Sequence, residues 1–78
     1  FGKALEAMKA GKKVARKGWN GKGMYLYLAD GKLLTEEIGD GSYPFTDTVV
    51  MKTADNKYCI GWLASQTDML AEDWHIVE

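Results

Sequence analysis

The sequence has few of the residues that stabilise small domains by covalent or metal crosslinks. Of its 78 residues, one is cysteine, one is histidine and one is proline. A single cysteine excludes an internal disulfide, and Cys59 with His75 is too small a set for a structural zinc site. A chain of this length buries only about 60–65% of its unfolded surface, so it is marginal as an isolated monomer. We therefore expect one domain, residues 1–78, that forms a homo-oligomer.

Long apolar runs and a large net charge are also missing. No run approaches the ~18 apolar residues of a membrane span, and no signal peptide is visible, so we expect no membrane partner and a cytoplasmic location. The net charge of −1 argues against a dedicated duplex-DNA binder. Residues 1–32 nevertheless have eight Lys/Arg and two Asp/Glu, whereas residues 33–78 have two and nine. The basic first part is a solvated face, one side of a subunit contact or a surface for phosphate.

The sequence also has no pattern typical of a catalytic centre. It has no Cys/His pair at a workable spacing, no cluster of metal ligands and no P-loop. The glycines Gly18, Gly21 and Gly23 do not form a dinucleotide fingerprint, because a strand follows them rather than a helix. We predict no catalytic residues, no metal, no cofactor and no enzymatic activity. His75 is expected to be structural or exposed, and Cys59 a small buried hydrophobe with an unreactive thiol.

The hydrophobic periodicity predicts an α+β fold, a small antiparallel sheet with an N-terminal helix and a short C-terminal helix. Apolar residues at helical spacing predict a helix over residues 1–10. Alternation predicts strands over residues 12–17, 24–29, 48–53, 58–63 and 74–77, with a hairpin between the third and fourth. Asp30-Gly31 is predicted to be a turn, and residues 32–47 an irregular loop with a brief strand at 32–34. Ser65 and Asp68 match a capping box, which predicts a helix over residues 66–71.

The second predicted strand is apolar on both faces, so we expect it to be covered on both. The face with Leu26 suits the N-terminal helix, whereas the face with Tyr25 and Tyr27 suits a subunit interface or a ligand wall. In the fourth strand, Tyr58 and Trp62 are predicted to share a face with Ile60. Gly61 between them indicates a bulge or a close approach of another group.

Residues 16–28 combine a tight glycine turn with side chains suited to binding. Trp19, at the apex of the turn, either folds back into the core or is presented to a flat partner. Arg16 shares the inward face of its strand with Val14, so its guanidinium needs a carboxylate, carbonyls or a ligand anion. The candidate ligand-binding set combines three kinds of side chain. Aromatic rings can stack on bases, cations can bind phosphate, and polar groups can hydrogen-bond to base edges. The set is Trp19, Tyr27 and Trp62, Arg16 and Lys22, and Asn20, Ser65, Gln66 and Asp68. Helix capping explains Ser65 and Asp68 equally well.

Two motifs carry a resemblance to a known family. They are Val14-Ala15-Arg16-Lys17-Gly18-Trp19-Asn20-Gly21-Lys22, after an opening Phe1-Gly2-x-Ala4-Leu5, and Trp62-Leu63-Ala64-Ser65-Gln66-x-Asp68-Met69-Leu70-Ala71-x-Asp73-Trp74. With them the chain resembles, over nearly its whole length, the second Thoeris anti-defence family of phage and prophage proteins.

The resemblance implies a protein that sequesters an immune signal. Its ligand would be the cyclic ADP-ribose isomer made by bacterial TIR-domain enzymes, bound without cleavage in the cytoplasm of the bacterial host. Some members also hold cyclic oligonucleotides in separate pockets. The family forms homotetramers with nucleotide pockets where subunits meet, and the motifs carry over Arg16, Trp19, Asn20, Trp62, Ser65, Gln66 and Asp68. Two other classes stay open: a single-stranded nucleic-acid or general nucleotide-binding module, and a hydrolase of the signal.

Overall fold

A five-stranded antiparallel sheet organises the chain in the computed structural model, which describes residues 1–19 and 21–77. The helices are α1 (Gly2–Lys9), α2 (Gly31–Ile38) and α3 (Gln66–Leu70). The strands are β1 (Lys13–Arg16), β2 (Tyr25–Ala29), β3 (Thr48–Lys52), β4 (Tyr58–Ile60) and β5 (Trp74–Val77), and they lie in the order β4-β3-β2-β1-β5. The predicted α+β fold, with an N-terminal helix, a β3–β4 hairpin and a short C-terminal helix, is confirmed.

Helix α1 packs across one side of the sheet, which we call the helix face, and forms the core there. Ala4 and Met8, four residues apart, lie on one side of α1 and are buried against Val14 of β1 and Leu26 of β2. Leu26 and Val14 are at most 1% exposed. The helix ends before Gly11, whose φ of +88° is a conformation that glycine adopts at little cost.

The segment after β2 differs from the prediction, because residues 31–38 form a helix rather than a loop with a brief strand. Asp30 caps α2: its Oδ1 accepts a hydrogen bond from the amide of Lys32 at 2.8 Å. Asp47 Oδ1 accepts from the amide of Gly31 at 2.8 Å. The expected Asp30-Gly31 turn is thus an N-cap and a first helical residue, and good helix formers follow it. Residues 39–47 have neither helix nor strand, as predicted.

A bulge at Gly61 changes the side of the sheet on which Trp62 lies. Strand β4 ends at Ile60, and the amides of Gly61 and Trp62 both donate to the carbonyl of Val49 at 3.0 Å. Two residues therefore oppose one, which shifts the alternation of side chains. Trp62 packs against the core on the helix face, so the prediction that it shares a face with Tyr58 and Ile60 is wrong. The predicted bulge is confirmed, with Gly61 at a φ of +82°.

The opposite side of the sheet, which we call the open face, is lined by tyrosines. The ring centroid of Tyr27 lies 6.3 Å from that of Tyr25 and 6.0 Å from that of Tyr58. Tyr58 is 64% and Ile60 56% exposed. The predicted division of β2 into an aliphatic and a tyrosine face is confirmed. Of the three helices, only α1 packs extensively on strands in the described chain, so the expected second cover of β2 is not supplied by a helix of the same chain.

Two further predictions concern single residues. Cys59 is exposed, so the prediction that it is buried is wrong. It lies on β4, an edge strand that α1 does not cover, since α1 packs on β1, β2 and β5. His75 on β5 is exposed, in line with the prediction. Within residues 1–19 and 21–77, no helix has the length and apolar character needed to cross a membrane.

Candidate nucleotide-binding site

Asp73 fastens the glycine turn that follows β1. Its Oδ1 accepts a hydrogen bond from Arg16 Nε at 2.9 Å, and its Oδ2 accepts from the amide of Gly18 at 2.8 Å. Its carbonyl also accepts from the amide of Lys17 at 3.1 Å. A Cβ at position 18 would lie 2.9 Å from Asp73 Oδ2, so a larger residue there would displace this carboxylate. The residue before β5 therefore sets the conformation of the turn.

A second carboxylate joins Arg16 to helix α3. Arg16 Nη1 donates to Asp68 Oδ1 at 2.9 Å, and both side chains are less than a fifth exposed. Asp68 Oδ2 accepts from the Ser65 amide at 3.1 Å and from its hydroxyl at 2.8 Å, while Ser65 Oγ accepts from the amide of Asp68 at 3.1 Å. The predicted capping box is confirmed. Arg16 was expected to pair with a carboxylate, with carbonyls or with a ligand anion, and in the described structure it pairs with the two carboxylates of Asp68 and Asp73.

These contacts keep both carboxylates ionised. Hydrogen bonds from Arg16 and then from the Gly18 amide lower the pKa of Asp73. Desolvation would raise the pKa of Asp68, but hydrogen bonds from Ser65 and Arg16 outweigh it, so this pKa is also lowered. The pKa of Arg16 is raised by its hydrogen bonds to Asp73 and Asp68. The three groups form a charged network with fixed geometry at neutral pH.

An aromatic cluster lies beside this network on the helix face. It consists of Phe1, Trp19, Trp62 and Trp74. Trp19 meets Trp74 edge to face, with centroids 5.4 Å apart, and Trp62 at 6.4 Å. The indole Nε1 of Trp74 donates to the carbonyl of Asp68 at 2.9 Å, which ties the cluster to α3. Trp19 is half-buried and packs against the core, as the first of its two predicted alternatives requires.

A concavity of about 530 Å³ lies on the other side of the glycine turn, and we call it the turn concavity. Its basic side chains are Lys13, Arg16, Lys17 and Lys52, and its rings are Trp19, Tyr25 and His75. Residues 13, 25, 52 and 75 project onto the open face, because they alternate with the core residues of their strands. The volume lies within the range of small-molecule sites.

Residues 1–77 match the sequence model of the Thoeris anti-defense 2-like domain. The chain belongs to this family. A curated relative, Thoeris anti-defense 2 of Bacillus phage SP01, is 48% identical in an alignment 83 positions long, gaps included, which covers 99% of this chain and 92% of the relative. The resemblance predicted from the two motifs is thus confirmed, and membership in the family supports an anti-defence role for the chain.

The structure brings together five of the nine predicted site residues in two adjoining groups. Arg16, Ser65 and Asp68 share the charged network, and Trp19 and Trp62 share the aromatic cluster. Gln66 is the exposed first residue of α3, and Lys22 is exposed in the glycine turn. Tyr27 lies on the open face, away from the tryptophans. Asn20 is outside the described residues.

Sequence reasoning missed the lysines of the turn concavity and the role of Asp73. Lys13 and Lys52 are far apart in sequence and meet only through the pairing of β1, β2 and β3. Their signal was strand alternation: Lys13 is adjacent to Val14 and so points to the opposite face, whereas Lys52 is two residues from Val50 and shares its face. Asp73 was one of several acids that could have paired with Arg16. Its position directly before β5, the neighbour of β1, selects it.

Proposed function

We propose that this chain is a phage anti-defence protein that binds and sequesters a cyclic nucleotide immune signal without cleaving it. The ligand is an isomer of cyclic ADP-ribose made by TIR-domain enzymes of Thoeris systems. The observation that carries the proposal is the match of residues 1–77 to the Thoeris anti-defense 2-like family. The bacterial cytoplasm, where such a signal is made, is the proposed place of action.

The surface around the glycine turn supports nucleotide binding. Trp19 and Trp62 are only half-buried, and Gln66 at the start of α3 is exposed. Stacking of one base on an aromatic ring contributes ~1–3 kcal/mol, and exposed amides can bond its edges. The turn concavity adds four basic side chains, Lys13, Arg16, Lys17 and Lys52, which are suited to binding the phosphates of a nucleotide.

The charged network supports binding rather than catalysis. Asp68 and Asp73 both have lowered pKa values, so neither carries a proton to donate at neutral pH. Within the chain, the carboxylate of Asp73 accepts two hydrogen bonds and that of Asp68 three, which fixes the turn and the start of α3. Among the described residues, no three His, Cys, Asp or Glu side chains are placed to hold a metal ion. A preformed site of this kind holds a ligand with little loss of conformational entropy.

We also propose that the chain acts as a homo-oligomer, a tetramer. Tyr58 and Ile60 of the open face are more than half exposed, next to Tyr27 and buried Val50. Leu63, which precedes α3, and Leu70, its last residue, are also largely exposed. Contacts between copies would remove this apolar surface from water, and completed pockets at subunit boundaries would follow. Light scattering at micromolar concentration tests the proposal, and a monomer would contradict it.

A retention experiment tests sequestration. The protein is incubated with the products of a TIR-domain enzyme and separated from free small molecules, and the retained material is released by heat and identified by mass spectrometry. We expect intact cyclic ADP-ribose isomer. Recovery of only a linear product would identify a hydrolase. Steeply salt-dependent binding of single-stranded oligonucleotides without signal retention would favour a nucleic-acid-binding module.

Two neighbouring residues of α3 provide a matched pair for the same assay. Gln66 is a candidate contact, and Thr67 is an exposed neighbour on the same helix that is not one. We expect Gln66→Ala to weaken retention and Thr67→Ala to leave it unchanged, with equal melting temperatures. Equal retention by both variants would remove Gln66 from the site.

A further inference from the structure

Two lysines from different strands converge on one tyrosine in the turn concavity. Lys13 Nζ lies 4.7 Å and Lys52 Nζ 5.9 Å from the ring centroid of Tyr25. Lys17 and Arg16 line the same concavity. Lys13 on β1 and Lys52 on β3 flank β2, and their like charges repel one another, so this arrangement opposes folding unless something compensates it. A single ring compensates only weakly at an exposed site.

The lysines of the concavity have no acidic partner among the described residues. Among the described residues, the ion pairs are those of Arg16 with Asp68 and Asp73, and of Lys57 with Asp55 outside the concavity. The described lining of the concavity also contains no Asp or Glu. The acids that neutralise Arg16 lie on its helix-face side, so the open-face side of the turn keeps its positive potential.

Lys52 is held in position before any ligand arrives. Its Nζ donates to the carbonyl of Gly23 at 3.1 Å, and its side chain is half-buried beside Tyr25. An ammonium group carries three donors, so two remain for another acceptor. A fixed donor loses little side-chain entropy when it binds an anion.

We propose that the turn concavity is a binding site for adjacent phosphate groups, as in the pyrophosphate of a dinucleotide. Lys13 and Lys52 bind the phosphate oxygens, Lys17 adds positive potential, and Tyr25 with His75 forms the wall against which an attached sugar or base lies. The proposal deepens the sequestration function and, in naming a nucleotide signal as the ligand, rests on it. The phosphate chemistry itself rests only on the side chains of the concavity.

Binding of inorganic pyrophosphate and of linear ADP-ribose, measured by calorimetry on the full chain at low salt, tests this assignment. We expect Lys52→Gln to weaken both roughly ten- to hundred-fold, the effect of losing one charge-assisted contact. The double variant Lys13→Gln/Lys52→Gln should abolish measurable binding, and Lys52→Arg should restore most of it. Lys3→Gln is the control, since it removes the same charge from α1 on the other side of the sheet. Melting temperatures identify any variant that loses its fold.

The outcomes separate this site from the proposed function. Unchanged affinities in the folded double variant, or an equal loss with Lys3→Gln, would overturn the phosphate site. If wild type retains the cyclic ADP-ribose isomer and the double variant retains it as tightly, sequestration holds and the phosphate site is refuted. If the lysine variants lose pyrophosphate while wild type retains no cyclic signal, the phosphate site holds and the proposed function is refuted.

Discussion

Replacement of Trp19 by alanine tests whether the turn is part of the core or only a binding surface. The sequence alone predicted that Trp19→Ala would abolish ligand retention and leave the fold intact. In the structure the indole packs edge to face on Trp74 at 5.4 Å and lies 6.4 Å from Trp62. It also contacts the core cluster around α1. We therefore expect Trp19→Ala to lower stability as well as retention.

The magnitude follows from burial and ring contacts. Truncation of a fully buried tryptophan costs ~3–5 kcal/mol, and each aromatic pair contributes about 0.5–1.5 kcal/mol beyond its buried area. Because Trp19 is half-buried, we expect a loss of about 2–4 kcal/mol. In a chain of this size each kcal/mol lowers the melting temperature by ~4–8 °C, so the expected shift is roughly 10–30 °C. Trp19→Phe keeps an aromatic ring at position 19 and should lose less than half as much stability.

Thermal denaturation followed by circular dichroism without ligand, paired with signal retention well below the melting temperature, measures both effects. Tyr43→Ala is the control, because Tyr43 is an aromatic residue that is 86% exposed. A melting temperature for Trp19→Ala within about 3 °C of wild type would refute the packing argument. Full retention of the signal by the folded variant would instead refute a stacking role for the ring.

Three further predictions concern a glycine, a pH range and the thiol. Gly31→Ala should lower the free energy of unfolding by ~1–3 kcal/mol, because the added Cβ would overlap the carbonyl oxygen of Phe45 and lie 2.7 Å from the carbonyl carbon of Thr46. Chemical denaturation measures this loss, and an unchanged midpoint would contradict it. The lowered pKa of Asp73 stabilises the fold fully above the unfolded value of about 3.9, and this contribution is lost as pH falls through the lower folded value. The melting temperature of wild type should therefore fall from about pH 4 downward more steeply than that of Asp73→Asn, and parallel curves would refute the role of this carboxylate. Exposed Cys59 should be alkylated by iodoacetamide in the native protein at a rate close to that in denaturant, and strong native protection would show that the thiol is covered in solution.

Local patterns in the sequence determined most of the elements and several contacts. Helical spacing set α1, the Ser65–Asp68 pair set the start of α3, and period-two alternation set the strands to within a few residues. The family also followed from sequence, because its two motifs are contiguous. These signals depend on neighbours a few residues apart, so no tertiary information is needed to interpret them.

Helix α2 marks the limit of such local signals. Asp30-Gly31 favours a turn and an N-cap equally, and only the bond from the Gly31 amide to Asp47, sixteen residues later, settles the choice. Cys59 was predicted to be buried because free cysteine is among the most buried residue types. The position of β4 at the sheet edge, which no local pattern encodes, exposes it.

The candidate site was decided at the tertiary level, because it is built from residues brought together by strand order and register. The sequence supplied Trp19, Trp62 and Arg16 as binding chemistry, but one bulged residue at Gly61 placed Trp62 beside Trp19. A side chain changes face with every residue of register, so an extra residue reverses the face of everything after it. The same register gathered Lys13 and Lys52, thirty-nine positions apart, over Tyr25.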